Sequence, residues 1–150
     1  MSYSTSDLVI FFTAVATLAT VLVLVWQTNN AKKTTRAEFT LRLHNDFFFN
    51  SRNEKIVRLI DSSQPILKIN GGQFVELDLD DFLGIIELLW IYINDGVLTK
   101  KTVKDMFGYF IVKTWQTGEI QSYVRQVRLD EKDDSYYIGL ENLAIEFNEK

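Results

Sequence analysis

Three clusters of cationic and aromatic side chains are the residues in this sequence with chemistry to offer. Arg125 and Arg128 stand three apart, a few residues ahead of Tyr136 and Tyr137. Arg52, Lys55 and Arg58 recur at the same interval, and Lys100, Lys101 and Lys104 precede Phe107 and Tyr109. A guanidinium grips phosphate with parallel N–H bonds and an aromatic ring stacks on a base, so a nucleotide site needs both types brought together by folding. The candidate ligand contacts are Arg52, Lys55, Lys104, Arg125, Arg128, Tyr136 and Tyr137. His44, the one histidine, is a further candidate; it also reads as a residue that caps or packs at the end of its helix. Each basic run reads equally as a solvated helix face paired with nearby Asp and Glu.

Other chemistries lack their residues. There is no cysteine, which removes disulfides, thiolate nucleophiles and Cys-based zinc sites, and one histidine makes no histidine-rich metal centre. No Gly-rich phosphate loop, nucleophile elbow or HExxH motif occurs. The carboxylates of Glu76–Asp81 lack the alternating spacing of a calcium loop and read as acidic residues at a helix start. Glu87, set among apolar residues, reads as a satisfied buried carboxylate. The expectation is a non-enzyme with no metal or cofactor. A net charge of −4 over 150 residues also argues against duplex nucleic acid as a partner.

The elements that must position these residues begin with LVIFFTAVATLATVLVLVW, Leu8 to Trp26, which carries no charge. Nineteen helical residues reach roughly 28 Å, close to the roughly 30 Å hydrocarbon thickness of a bilayer. The stretch is too long for the core of a signal peptide, and no basic residue precedes it. It is expected to be a retained transmembrane helix, with Trp26 and Tyr3 at the two interfaces. Lys32, Lys33 and Arg36 follow it and only Asp7 precedes it, so the positive-inside rule predicts an outside N-terminus and a cytoplasmic remainder. Thr13, Ala16, Thr17 and Thr20 fall at i, i+3, i+4 and i+7, a small-residue stripe suited to self-association within lipid.

The predicted organisation is mainly α: residues 1–7 an extracytoplasmic tail, 8–26 the span, 27–46 a helical juxtamembrane stalk, and 47–150 a small all-helical cytoplasmic domain of five or six helices. Phe39, Leu43 and Phe47 share one side of the stalk. Ser51 and Glu54 are spaced as a capping box. Pro65 and Asn70-Gly71-Gly72 mark an irregular stretch, in which Ile66–Ile69 has the composition of a short strand. Asp81–Asn94 is apolar nearly all round and is expected to be central. Thr99 caps a helix from Lys100 to Thr117 that buries Val103, Met106, Phe107, Phe110, Ile111 and Trp115. Gly118 closes it, Glu119–Arg128 forms another, and Ser135 or Asp134 caps a last one.

The pattern GIIELLWIYINDGVLTKKTVKDMFGYFIVKTW, Gly84 to Trp115, followed by Arg125 and SYYIGLENL, resembles short single-span bacterial membrane proteins with a helical cytoplasmic domain. Among these are the membrane effectors of type III CRISPR systems, such as the one from Vibrio. The likeness covers the layout of the whole chain. It implies an inner-membrane protein of antiviral defence, a homotetramer whose cytoplasmic domain binds cyclic tetra-adenylate and which then perturbs the membrane or opens a pore. A cyclic ligand has rotational symmetry, and a symmetric oligomer can offer each phosphate the same cation. The reading from another class is a membrane-tethered interaction module, with an aromatic groove near Phe107, Tyr109 and Trp115, or a subunit of a larger membrane complex.

Overall fold

The computed structural model describes residues 5–149, and within them says nothing of the side chains of residues 5–12, 32 and 33. Tyr3 and the side chains of Asp7, Lys32 and Lys33 therefore lie outside the described residues. Every named element but one short 3-10 turn is an α-helix: α1 Thr5–Phe48, α2 Ser51–Asp61, α3 Glu76–Asn94, α4 Lys100–Gln116, α5 Gly118–Glu131 and α6 Ile138–Asn148. The chain divides into two compact units, residues 1–39 and 40–150.

The first unit is the bulk of α1. From Thr13 onward this helix is long and apolar enough to cross a membrane, and none of its most apolar window is buried in the protein. Water is a poor solvent for such a surface, which is favourably covered by lipid or by protein. In the stripe, the Thr17 hydroxyl donates to the Thr13 carbonyl at 2.8 Å and the Thr20 hydroxyl to the Ala16 carbonyl at 2.9 Å. Their protons are thus satisfied within the helix, as lipid requires.

The second unit begins at Thr40, ahead of the residue 47 that the hydropathy pattern suggests, because the last turns of α1 pack into it. Leu43 and Phe47 are buried there. Phe47 meets Phe82 at 5.1 Å and Phe107 at 5.5 Å between ring centroids, and Phe48 stacks on Phe107 at 5.9 Å. Around this aromatic centre α2 contributes Ile56, Val57 and Ile60, and α3 contributes Leu79, Phe82, Leu83, Ile86 and Leu89. Val103, Phe107 and Ile111 enter from α4, Ile120 and Val124 from α5, and Leu140, Leu143 and Phe147 from α6. Side chains three and four apart on each helix thus face one interior.

Several local expectations are corrected. The cap of α2 is Asn50, whose side chain accepts from the Arg52 N–H at 3.1 Å, and Glu54 instead pairs with Arg58 at 2.6 Å. Ile66–Ile69 is not a strand: Lys68–Asn70 makes a 3-10 turn, and the backbone pairing there is an isolated bridge between Leu67 and Phe74. Gly72 is required at this turn, since a Cβ would come within 2.2 Å of the Ile66 carbonyl oxygen. Helix α3 is one-sided, with Leu88 and Ile91 exposed. In α4, Met106, Phe110 and Trp115 are half-buried while Thr114 is buried. That helix stops because Thr117 turns extended (φ −75°, ψ 114°), and Gly118 opens α5 rather than closing α4. Thr99 does cap α4, accepting from the Thr102 N–H at 3.1 Å. Neither Ser135 nor Asp134 caps α6; its N-cap is Tyr137, held at φ 56°.

Candidate functional site

Two polar regions of the second unit separate cleanly by whether their groups already have partners. The first knits α3 to α5 and α6. Glu87 accepts from the backbone N–H groups of Gly139 at 3.2 Å and Leu140 at 2.7 Å. A helix start leaves N–H groups without intrahelical partners, and Tyr137 has no side-chain cap to offer, so a carboxylate from α3 takes that role across the interface. Gly139 permits the approach: a Cβ there would sit 2.6 Å from the Cβ of Trp90. Burial raises the Glu87 pKa, the two backbone bonds and the Arg128 charge only partly offsetting it. Asp80, two turns earlier on the same side of α3, accepts from the hydroxyl of Tyr123 at 2.6 Å and from that of Tyr137. Both phenols are pushed well up, first by burial and then by the bond to Asp80. Arg128 pairs with Glu141 at 2.9 Å and donates to the Tyr136 carbonyl at 2.8 Å.

This is the place where the structure brings sequence-predicted site residues together: Arg128, Tyr136 and Tyr137. Their polar groups are largely spent inside the protein. The Arg128 guanidinium is bonded to Glu141 and the Tyr137 hydroxyl to Asp80, so the cluster holds α6 in place and offers an incoming anion little.

The other predicted contacts are dispersed. Arg52 on α2 pairs with Asp81 at 2.8 Å and with Asp78 at 3.4 Å. Lys55 is exposed on the same helix. Arg125 is exposed on α5, with its Nε donating to the Gln121 carbonyl at 3.3 Å. His44, near the end of α1, packs among rings, 4.8 Å from Phe48 and 6.2 Å from Phe107. No group of three or more His, Cys, Asp or Glu residues able to hold a metal ion occurs among the described residues.

The second polar region is open. Between α4 and α6 lies a groove of about 410 Å³ lined by Lys104, Gly108, Tyr109, Lys113 and Phe147 among others. It runs on through Val112, Gln116 and Asn148, shared with a smaller pocket of about 210 Å³ that adds Trp115 and Ile145. No carboxylate lines either part. Lys104 and Lys113 form no ion pair among the described residues, whereas their neighbours are paired, Lys100 with Glu146 at 2.9 Å and Lys101 with Asp105 at 2.8 Å. The Lys104 ammonium sits 5.8 Å above the Phe147 ring, a cation–π arrangement. Tyr109 is 61% exposed, though its hydroxyl donates to Asp61 at 2.6 Å. The groove combines an apolar floor, an exposed aromatic ring and two available cations.

Lys104 and the aromatic residues of α4 were visible in the sequence. Lys113 and Phe147 were not singled out. Lys113 follows Tyr109 by four residues and so shares its helix face, a signal that was present. Phe147 joins them through tertiary packing of α6.

The chain belongs to the family described as domain of unknown function DUF4760, whose profile matches residues 10–147. That match takes in most of the span as well as the helical unit, so both are family features. No curated protein and no solved structure matches the chain.

Proposed function

We propose that this DUF4760 chain is a single-span membrane protein that holds a helical docking module against the cytoplasmic face of the inner membrane. Its helix α1 crosses the bilayer, the N-terminus lies outside, and the basic residues after Trp26 keep residues 40–150 inside. The module's working surface is the α4–α6 groove, and its occupant is a segment of protein. One observation carries this reading: the groove couples exposed apolar and aromatic side chains with two lysines that have no acidic partner among the described residues, while Arg52, Arg58 and Arg128 elsewhere are engaged in ion pairs. A cation left without its counter-ion on a folded surface is where a partner's carboxylate gains most.

The test uses the full chain in native membranes. The protein is expected in the carbonate-resistant membrane pellet, and a benzophenone side chain at Tyr109 is expected to give a discrete cross-linked band. Lys104→Glu with Lys113→Glu should remove that band without releasing the chain from the membrane. A membrane-retained protein that yields no band sinks the module.

A second reading is favoured by the same two lysines beside Tyr109 and Phe147, since cations next to rings also suit a phosphate and its base. In it the chain is an antiviral effector: a homo-oligomer, tetrameric by resemblance, binds cyclic tetra-adenylate, and the change is passed along α1 to the spans, which perturb the membrane. Ligand must then favour the membrane-active arrangement over the resting one. Calorimetry of the detergent-solubilised chain with cyclic tetra-adenylate decides between the two. Saturable heat that vanishes with the Lys104→Glu, Lys113→Glu pair supports the effector, and its absence leaves the docking module.

A further inference from the structure

We infer that the occupant of the α4–α6 groove is the acidic tip of a second copy of this chain, residues 129–134, which end α5 and begin the turn that follows it. The inference rests on the docking reading and gives it a partner.

The tip has the chemistry that the groove lacks. Leu129 is 72% exposed near the end of α5, an apolar side chain of a size to enter a shallow groove. Asp130, Glu131, Asp133 and Asp134 surround it against the single cation Lys132, and none of the four makes an ion pair among the described residues. Two of them are spent on local order, Asp130 accepting from Gln126 at 2.9 Å and Asp133 from the Ser135 N–H at 2.8 Å. These bonds shape the tip without cancelling its charge. Lys132, at φ 54°, ends α5 in a left-handed turn, and residues 129–134 are all exposed.

Groove and tip are therefore complementary in two independent respects: exposed leucine against apolar floor, and carboxylates against lysines. Of the carboxylates near the groove, Glu146 is paired with Lys100, whereas Asp61 keeps its charge while it accepts from the Tyr109 hydroxyl, so the match rests on Lys104 and Lys113 rather than on the Tyr109 side. Because tip and groove are different patches, the contact is of the kind that closes copies into a ring when the rotation permits. Confinement of every copy to one bilayer, in one orientation, raises their effective concentration and favours such a contact even where each is weak.

The cysteine-free sequence provides the experiment. Two differently tagged full-length chains are co-expressed, one carrying Leu129→Cys and the other Ile145→Cys, and their membranes are oxidised. A mixed-tag disulfide dimer is expected, since only contact between copies can form it. Adding Asp130→Lys and Glu131→Lys to the first chain should cut that dimer roughly tenfold, the scale of a lost interfacial charge pair. Adding Lys104→Glu and Lys113→Glu to the second as well should restore it, which a misfolded variant would not do. If the mixed dimer fails to form, or forms equally after the tip alone is reversed, the inference is overturned. The docking reading is judged separately, because a Tyr109 cross-link to a different protein would uphold that reading while excluding the second copy.

Discussion

Leucine means opposite things in the two units. Leu18 and Leu22 on α1 are 65% and 70% exposed, whereas Leu79, Leu83 and Leu89 on α3 are fully buried. The residue type is the same, and the helices that carry it are equally regular. The difference lies in what surrounds them. Helix α3 has α2, α4 and α6 to cover it, while none of the apolar window of α1 is buried among the described residues. A contiguous exposed apolar surface of that size marks a lipid or protein interface. One unit is thus stabilised by its own core, and the other depends on its surroundings.

The largest expected effect breaks the comparison by making one change in both units. Leu83→Ala should cost about 2.7–5 kcal/mol of stability, the range for a cavity in a packed core. Leu22→Ala should stay within about 0.5 kcal/mol on the same urea-melt measure. Equal losses at the two positions would mean that α1 is buried in a larger fold. Polarity comes next. An arginine at Leu22 should cost about 2.5–3.5 kcal/mol of membrane insertion and move a visible share of the chain into the carbonate-soluble fraction, with the core's melt unaltered. A chain that stays fully in the pellet would count against α1 as the anchor.

The smallest effect sharpens the comparison within the second unit. Glu87→Gln should destabilise the docking of α6 by about 1–3 kcal/mol, since the two carboxyl oxygens each accept one backbone N–H and the amide NH2 that replaces one of them cannot accept. It also carries a pH signature. Burial raises the Glu87 pKa in the folded state, so between the unfolded and folded values the native protein holds more protons. The Glu87 contribution to stability therefore increases as pH falls through the window just above the ordinary carboxylate range, and fades as pH rises through it. Melts at several pH values should show that slope in the parent chain and lose it in the variant. A persistent slope would assign it to another group.

Much of the second unit was legible because helix periodicity is local. The Thr99 cap and the Val103, Phe107 and Ile111 side of α4 follow from residues within one or two turns of each other. The failures share the opposite property. The cap of α6 comes from Glu87, some fifty residues earlier, and Asp80 meets Tyr123 and Tyr137 over separations of 43 and 57 residues. No spacing rule reaches that far. The same holds for the candidate site: the sequence marked cations and rings, but their availability depended on which carboxylates the fold placed beside them. Arg52 and Arg128 found carboxylates, and Lys104 and Lys113 pair with none among the described residues.

By itself, then, the sequence determined a helical protein with one long uncharged segment, because the hydrocarbon thickness and the 3.6-residue repeat are read directly from residue order. It also determined the missing chemistry, since a chain without cysteine can form neither a thiolate nor a disulfide. Tertiary structure decided where the globular unit begins, which charges are silenced by partners and which surface stays open between α4 and α6. Those outcomes depend on Coulomb and hydrogen-bond contacts a few ångströms long between residues far apart in the chain, and folding alone sets those distances.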